Sequence, residues 1–320
     1  MIYDCFSFFN ELDILEIRLK TLDCIVDKFV LSESNYTHTG QRKPLYFKEN
    51  ESRFSQFKNK IIHVVSPDPE YPDKAKTDIK YSWLCENRQR NSTIKSIENI
   101  LKPDDILIVS DLDEIPNPAA LKKAISFKQP VRLRQKMYYY YLNYRCCTSP
   151  FWNVGSVVLS YKTFKNPATY KKTVDSVAFN LSENARPTAT KVRALYGIKM
   201  LNDGGWHFSY IGKIENIMLK TNSIADGNRL TDAEFIEKCI KSGNDIYDRG
   251  EWFFAEKIDD SFPSTVVEFP EFIFPISDEY RRSVRLKRLF AYFKWIIRPL
   301  AWKLFPKKLA FYLSHKFKNI

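Results

Sequence analysis

The feature that most constrains this chain is a short apolar run that leads directly into a cluster of acids. Residues 106–109 read Ile-Leu-Ile-Val, and the next five positions carry three acids, Asp111, Asp113 and Glu114. A continuous apolar run is typical of a strand that is covered on both faces of an α/β sheet. The acids then fall at the carboxyl end of the strand, the edge of the sheet where ligands bind in such folds.

The spacing of these acids favours a metal site. Asp111 and Asp113 stand two positions apart, so both carboxylates can turn toward one hard cation or toward a metal bound to a diphosphate. His207 follows two glycines and a tryptophan at 204–206, and it is the third candidate ligand. The alternative is that acids in front of Pro116 only form a solvated turn.

The order of elements around this strand is that of a nucleotide-binding α/β fold. Strands are predicted at 2–9, 28–31 and 61–65, and a helix with an apolar stripe follows the first strand. Alternation of strand and helix predicts a doubly wound half, here a central mixed sheet flanked by helices. The chain has neither a G-x-G-x-x-G fingerprint nor a P-loop.

Two further segments carry aromatic residues and polar residues in unexpected places. Strands at 131–141, with four successive tyrosines, and at 152–161 predict a second sheet, whose rings either bind sugar or pack across strands. A loop over the ligand site is predicted at 66–82 and a helix at 83–101. On that helix Asn87 and Arg90 fall on the stripe expected to face inward. They are expected to bind a ligand or to satisfy the carboxylates, unless the face is simply solvated.

Charge is concentrated at the end of the chain. Of the 50 basic residues, 12 lie in 281–320, where there is no acid, which leaves 38 bases against 38 acids in 1–280. We expect 276–320 to be a basic amphipathic tail, broken at Pro299 and Pro306, that lies on an anionic membrane surface. The alternative is a tail docked on the catalytic domain through Leu286, Leu289, Phe293 and Ile296.

Cysteine usage and hydropathy indicate the compartment. The six cysteines form no C-x-x-C pair, which favours free thiols in a reducing environment. No leader-like segment opens the sequence, and no apolar run approaches the roughly 20 residues of a membrane span. We expect a cytoplasmic protein, peripheral on the inner face of the plasma membrane.

Three separated blocks of the sequence resemble glycosyltransferase family 17. They are residues 2–19 (IYDCFSFFNELDILEIRL), 110–116 (SDLDEIP) and 204–209 (GGWHFS), in the order in which the family carries them. The resemblance implies a GT-A-like catalytic domain over 1–275 and a UDP-sugar donor, expected to be UDP-GlcNAc. It also implies a divalent metal such as Mn²⁺ or Mg²⁺, inversion at the anomeric carbon and a saccharide acceptor, either a glycan or a lipid-linked sugar.

The resemblance also assigns roles to residues. Asp111 and Asp113 are the expected metal and diphosphate motif. The residues expected to contact the donor are Asn10, Glu11, Glu33, Trp83, Glu86, Gln89, Arg90 and Asp111. An acceptor hydroxyl needs a carboxylate base, for which Asp203 is the first candidate and Glu251 or Glu256 the next.

Two other functions fit parts of the sequence. A metal-dependent phosphohydrolase acting on nucleotide sugars would also use the two aspartates at 111 and 113. A non-enzymatic nucleic-acid-binding protein would use the basic tail, and its affinity would fall steeply with salt. That second reading leaves the acids at the strand end unexplained, so nucleic acid is not the expected partner.

Overall fold

The structure is a computed structural model that describes residues 1–166, 168–169, 187–225 and 232–304. Two mixed β-sheets are flanked by helices, which confirms the predicted α/β class. The strands are β1 (Ile2–Ser7), β2 (Lys28–Glu33), β3 (Ile61–Val65), β4 (Ile106–Asp111), β5 (Glu114–Pro116), β6 (Val131–Leu133), β7 (Gln135–Tyr139), β8 (Tyr144–Cys146), β9 (Phe151–Trp152), β10 (Val157–Ser160), β11 (Lys199–Leu201), β12 (Gly205–Ser209) and β13 (Phe253–Ala255).

Helices connect and cover these strands. The α-helices are α1 (Leu12–Leu22), α2 (Tyr46–Glu49), α3 (Pro72–Ala75), α4 (Ile79–Ile97), α5 (Pro118–Ile125), α6 (Tyr161–Lys165), α7 (Ala189–Arg193), α8 (Ile214–Ser223), α9 (Ala233–Ser242) and α10 (Asp278–Leu304). Short 3-10 helices span Glu51–Phe57, Ser264–Glu268 and Pro270–Phe272.

The first sheet has the strand order β11-β6-β10-β4-β1-β2-β3. Its strands β4, β1, β2 and β3 are mutually parallel, and β10 runs antiparallel to β4. The predicted strands at 28–31 and 61–65 are present. The first strand ends at Ser7, two residues earlier than predicted. The parallel quartet is the doubly wound half that the sequence indicates.

The acid-bearing strand β4 is covered on both faces. Ile108 packs with the α1 stripe, in which Leu15 and Leu19 recur at helical spacing and are fully buried. Leu107 and Val109 point the other way, into a cluster that contains Ile94 and Ile97 of α4. Successive side chains of a strand alternate between its faces, so a continuous apolar run is needed to fill both clusters.

The second sheet has the order β13-β8-β7-β12-β5, and β9 pairs with β7. The stretch 131–141, predicted as one strand, is divided between β6 in the first sheet and β7 in the second. Tyr138 and Tyr140 are buried in packing clusters, so most of the tyrosine run packs across strands. Gly205 opens β12 with a φ of +130°, and a Cβ there would lie 2.0 Å from the Ile115 carbonyl oxygen, which excludes any other residue.

Some helix boundaries differ from the predicted ones. The stretch 66–82, predicted as a loop, contains α3 and the start of α4. Helix α4 begins at Ile79 because the Asp78 side chain accepts a hydrogen bond from the Lys80 amide at 2.9 Å and caps it. It ends at Ile97, four residues before the predicted end. The sequence has little regular pattern over 162–200, and part of that segment lies outside the described residues.

The basic tail begins as one long helix. Helix α10 runs through Pro299, where the sequence predicts a break, and Pro306 lies outside the described residues. Tyr280 and Ala291 hold it to the body: the Ala255 amide donates to the Tyr280 hydroxyl at 2.7 Å, and Ala291 is fully buried. Within the described ranges, no helix combines the length and the apolar character needed to cross a bilayer.

Candidate active site

The candidate site lies where β1 and β4 end side by side. Ser7 and Asp111 are in register at the carboxyl ends of these strands. After β1 the sheet is built toward β2 and β3, and β4 adds on the opposite side, so the strand order reverses between β1 and β4. Ligands of open α/β sheets bind at such reversal points. A cavity of about 840 Å³ opens there, a volume typical of small-molecule sites.

Both sheets contribute to the cavity wall. The first sheet, its loops and α4 supply aromatic and polar side chains that include Phe8, Phe9, His38, Trp83 and Glu86. The second sheet and the loops around it supply Tyr139, Trp152, His207, Tyr210 and Tyr247. A wall with rings and charged groups suits a ligand that itself combines ring systems with charge.

Asp111 is held between two arginines. Its carboxylate accepts from Arg90 Nη2 at 2.9 Å and from Arg193 Nη2 at 3.1 Å. Glu86, one turn before Arg90 on α4, accepts from the same Arg90 nitrogen at 2.5 Å. Burial alone would raise the pKa of Asp111, but the positive charges of Arg90 and Arg193 outweigh it and lower that pKa to about 2.

Asp113 is held by a lysine. Lys220, on α8, places its Nζ 2.8 Å from one Asp113 oxygen and 2.7 Å from Glu11. Ser209 donates to Asp113 at 2.9 Å, and His207 Nε2 lies 3.5 Å away. Burial would raise the pKa of Asp113, yet Lys220 and then His207 bring it well below its usual value. Burial would lower the pKa of Lys220, and the two carboxylates raise it instead.

Residues 111–114 form the acidic loop. Glu114, at its end, links this loop to the second sheet. Arg193 donates to Glu114 at 2.7 Å, and the Trp152 indole N–H donates to it at 2.6 Å. The Trp152 ring stacks on the His207 ring, with 4.4 Å between centroids and 22° between planes. Arg193 therefore bridges Asp111 and Glu114, and Trp152 fixes the orientation of His207 in the wall.

A fully buried arginine shapes the backbone of the acidic loop. Arg18, on α1, makes a bidentate ion pair with Asp4, with bonds of 2.8 and 2.6 Å. Its Nη1 also donates to the backbone carbonyls of residues 111, 112 and 114, at 3.0, 3.0 and 2.9 Å. These bonds satisfy a buried charge, and they set the path along which the acids project.

Several polar atoms of the cavity wall make no hydrogen bond within the described part of the chain. They are Ser7 Oγ, His38 Nδ1, Arg90 Nε and His207 Nδ1, all buried. Buried polar groups in folded proteins are almost always paired. Four such atoms around one cavity therefore indicate a polar ligand that would complete their bonding.

The comparisons with known proteins place this arrangement in a family. The model of glycosyltransferase family 17 matches residues 1–180, more than half of the chain. The chain belongs to glycosyltransferase family 17. The family resemblance inferred from the three sequence blocks is therefore confirmed.

The curated relatives of this family 17 chain are proteins of the same name from three mammals. Over 113 residues it is 32% identical to the beta-1,4-mannosyl-glycoprotein 4-beta-N-acetylglucosaminyltransferase of Homo sapiens and of Rattus norvegicus, and 31% identical to that of Mus musculus. The matched stretch is 33% of this chain, and it spans only about a fifth of the length of those curated relatives.

The cavity of the family 17 chain brings together most of the site residues predicted from sequence. Those that line it are Glu11, Trp83, Glu86, Gln89, Arg90, Asp111, Asp113 and His207. They come from the start of α1, from α4, from the end of β4 and from β12. Four elements that are distant in sequence therefore meet at one cavity, as nucleotide-binding α/β folds require.

Five predicted site residues lie outside the cavity wall. Asp203, the first candidate base, is exposed in the turn before β12, with a φ of +52°. Glu251 is buried against Thr148 and accepts from its hydroxyl. Glu33 and Asn10 do not line the cavity either: Glu33 is fully buried, and Asn10 is half-buried before α1. Glu256, the other candidate base, is occupied elsewhere, as it accepts from a tyrosine of β7 at 2.6 Å.

Sequence reasoning missed three of the charged residues at the site. Arg18 falls on the apolar stripe of α1, between Leu15 and Leu22, and that misplacement is the same signal that identified Arg90 on α4. Lys220 sits in an ordinary helix, and Arg193 ends a five-residue helix in a weakly patterned segment. Neither of these two cations has a local sequence signal, because their aspartate partners are about 80 to 110 positions away.

The wall does not form a ready site for the predicted metal. Each of the two aspartates already has cationic partners, Asp111 the two arginines and Asp113 Lys220. Nowhere in the described ranges do three or more His, Cys, Asp or Glu side chains form a group that could hold a metal ion. A divalent ion bound by Asp111, Asp113 and His207 would have to displace Lys220, so the residues present do not fit a resident metal.

Proposed function

We propose that this chain is an inverting glycosyltransferase with a GT-A type of donor site. It would move a sugar from a UDP-sugar to a glycan or to a lipid-linked saccharide. The observation that carries the proposal is the cluster of three cations, Arg90, Arg193 and Lys220, at the carboxyl ends of β1 and β4. The names of the mammalian relatives favour N-acetylglucosamine as the sugar, with UDP-GlcNAc as the donor.

The chemistry of transfer requires positive charge at this place. The acceptor oxygen forms a bond to the anomeric carbon while the bond from that carbon to the diphosphate breaks. The nucleoside diphosphate leaves with the electron pair, so its negative charge grows as the bond breaks. Cations that are already positioned stabilise such charge without reorganising, and this is the role we propose for Arg90, Arg193 and Lys220.

The same step releases a proton from the acceptor hydroxyl. A carboxylate of the cavity wall would accept it. Of the carboxylates in the cavity wall, Asp111 and Asp113 have pKa values well below the usual range, which makes them weak bases. We therefore propose Glu11 or Glu86 as the base, in place of the candidates that lie outside the cavity.

The aromatic part of the wall is the proposed acceptor side. Tyr210 and Tyr247 hydrogen-bond to each other through their hydroxyl groups, and both rings line the cavity. Arg249 lies over the Tyr247 ring, 4.6 Å from its centroid. Aromatic faces pack against the C–H face of sugar rings, and nearby charged groups can bind their hydroxyls. A saccharide is therefore the acceptor class that this wall fits.

The proposed reaction does not require the predicted divalent metal, Mn²⁺ or Mg²⁺. If one arrives with the donor, Asp111 and Asp113 would hold it, and it would supply further charge to the leaving diphosphate. Lys220 would then have to leave Asp113.

A nucleotide-sugar panel tests the donor class directly. The melting temperature is measured with each nucleotide sugar, with and without Mn²⁺, because a ligand that binds the folded state raises it. We expect UDP-sugars, UDP-GlcNAc foremost, to give the largest shift. A panel in which no UDP-sugar shifts the melting temperature would contradict the proposal.

A matched pair of variants ties the donor to the cations. Arg90→Ala should weaken UDP-GlcNAc binding by about 1.5 to 3 kcal/mol, the range for a hydrogen bond to a charged group, in a titration of donor affinity. Arg53→Ala is the control, because Arg53 pairs with surface acids of α1 away from the cavity. Equal affinities for both variants would remove Arg90 from the donor site.

Turnover without an acceptor separates transfer from hydrolysis. A glycosyltransferase cleaves its donor slowly in the absence of an acceptor saccharide and faster in its presence. A phosphohydrolase acting on nucleotide sugars, the competing function, would cleave the donor at full rate with water alone. Fast cleavage that no saccharide accelerates would therefore favour the phosphohydrolase.

A further inference from the structure

Among the side chains of helix α10 that the structure describes, those that contact the body of the protein lie on one side. Tyr280 packs its ring on Phe274, with 4.9 Å between centroids, and its hydroxyl accepts from the Ala255 amide. Ala291 is fully buried eleven residues later, which is three helical turns and returns to the same side. This side holds the helix in place and leaves the opposite side outward.

The outward side of α10 is apolar and uncovered. We call it the outer face and define it as Leu286, Leu289, Phe290, Phe293 and Ile296. The spacing of 3, 1, 3 and 3 places these residues along one side of an α-helix. Their exposed fractions are 68%, 52%, 51%, 50% and 40%. The predicted alternative, in which four of these residues dock on the catalytic domain, is not what the structure has.

The charge of α10 helps to decide which kind of partner could cover the outer face. Arg282 and Arg285 are exposed on the first turns of the same helix, and residues 281–320 contain 12 basic residues and no acid. A nucleic acid would match the charge but not five large apolar side chains. An anionic bilayer surface matches both, since headgroups attract the bases while acyl chains receive the apolar residues.

We propose that the outer face of α10 lies in the surface of an anionic lipid bilayer. The helix would lie parallel to the membrane plane, with its apolar side chains at the level of the acyl boundary and the arginines and lysines among the headgroups. The body would be held through the opposite side of the same helix, by Tyr280 and Ala291. This inference does not depend on the proposed glycosyl transfer, because it rests on the exposure and charge of α10 alone.

Vesicle sedimentation with the full-length protein tests the proposal. The probes are phosphatidylcholine vesicles with and without phosphatidylglycerol, at low and at high salt. We expect the protein to sediment with the anionic vesicles at low salt and to be released at high salt, because screening weakens the headgroup attraction. A protein that stays in the supernatant with anionic vesicles, or that binds neutral vesicles equally well, would overturn the proposal.

A double variant with a matched control locates the contact. Leu289→Ser with Phe293→Ser should weaken partition onto anionic vesicles by about tenfold or more, because two large apolar side chains no longer leave water. Val267→Ser is the control, since Val267 is 62% exposed on a different element. The melting temperature checks that all variants fold. If the double variant sediments as the parent does, the outer face is not the membrane contact.

Sedimentation velocity without vesicles examines the other occupant, a second copy of the chain. The proposal predicts a monomer whose sedimentation coefficient the double variant leaves unchanged. A dimer of the parent protein that the Leu289 and Phe293 substitutions dissociate would mean that the outer face is a self-association surface. That result would overturn the membrane proposal.

Discussion

Lys220 offers the sharpest test of the charge arrangement at the site. Its ammonium group lies 2.7 Å from Glu11 and 2.8 Å from Asp113, and the three side chains are only 13%, 14% and 9% exposed. The substitution Lys220→Met keeps much of the length of the side chain and removes its charge. Two largely buried carboxylates then face each other with no cation between them.

The expected cost follows from the loss of one partner in a buried ion pair, about 3 to 5 kcal/mol of unfolding free energy. For a domain of this size each kcal/mol changes the melting temperature by about 2 °C, so Lys220→Met should lower it by roughly 6 to 10 °C. Lys241→Met is the control, because Lys241 pairs with Glu237 on an exposed helix face and its side chain is 74% exposed. The control should change stability by less than about 1 kcal/mol.

The loss of melting temperature in Lys220→Met should depend on pH in a defined direction. In the parent protein the pKa of Asp113 is depressed, so its ion pair stabilises the fold above the unfolded pKa and is lost as the pH falls through the folded pKa. In Lys220→Met the main cause of the depressed pKa of Asp113 is gone, and protonation of a carboxylate relieves the repulsion. The difference in melting temperature should therefore be largest near pH 7 and shrink toward pH 4. A loss under 2 °C at pH 7, or a loss that grows as the pH falls, would refute this reasoning.

Three further outcomes follow from the site and from the thiols. One of Glu11→Gln and Glu86→Gln should lower kcat by about 100-fold or more while the donor Kd stays within a factor of three or so; two fully active variants would exclude both as the base. EDTA should leave the melting temperature of the ligand-free protein unchanged, because protein cations already neutralise the two aspartates, and a clear drop would reveal a resident metal. A thiol reagent should label Cys24 first, since it is exposed, whereas burial raises the pKa of the other cysteines and slows them; early labelling at another cysteine, read by mass spectrometry, would contradict this.

Local pattern was enough to predict the four parallel strands of the first sheet and the acids at its edge. The run at 106–109 has one physical reason to be apolar at every position, burial on both faces, and its acids follow within the same few residues. Arg90 was also predictable, because a charged residue on an inward helical stripe has to meet a partner. In each case the signal and its cause lie within one element.

The partners of those acids could not be predicted, because topology alone brings them together. Arg193 reaches Asp111 from 82 positions away, and Lys220 reaches Asp113 from 107 positions away. Neither cation interrupts an apolar stripe. The division of 131–141 between two sheets is equally non-local, since β7 pairs in parallel with β12, which follows some 65 residues later. The base assignment to Asp203 was made without that geometry, and the residue lies outside the cavity.

The buried Arg18 makes the acidic loop depend on the beginning of the chain. One guanidinium binds Asp4 and three carbonyls of the loop that follows β4, from positions 93 to 96 residues away. A nascent chain can therefore form this loop only after roughly the first 114 residues are free to fold together, however early β1 and α1 form. Once folded, the loop cannot open by itself, because opening would leave the buried Arg18 guanidinium without its carbonyl partners. Its amides should exchange with deuterium only as fast as the parallel strands themselves come apart.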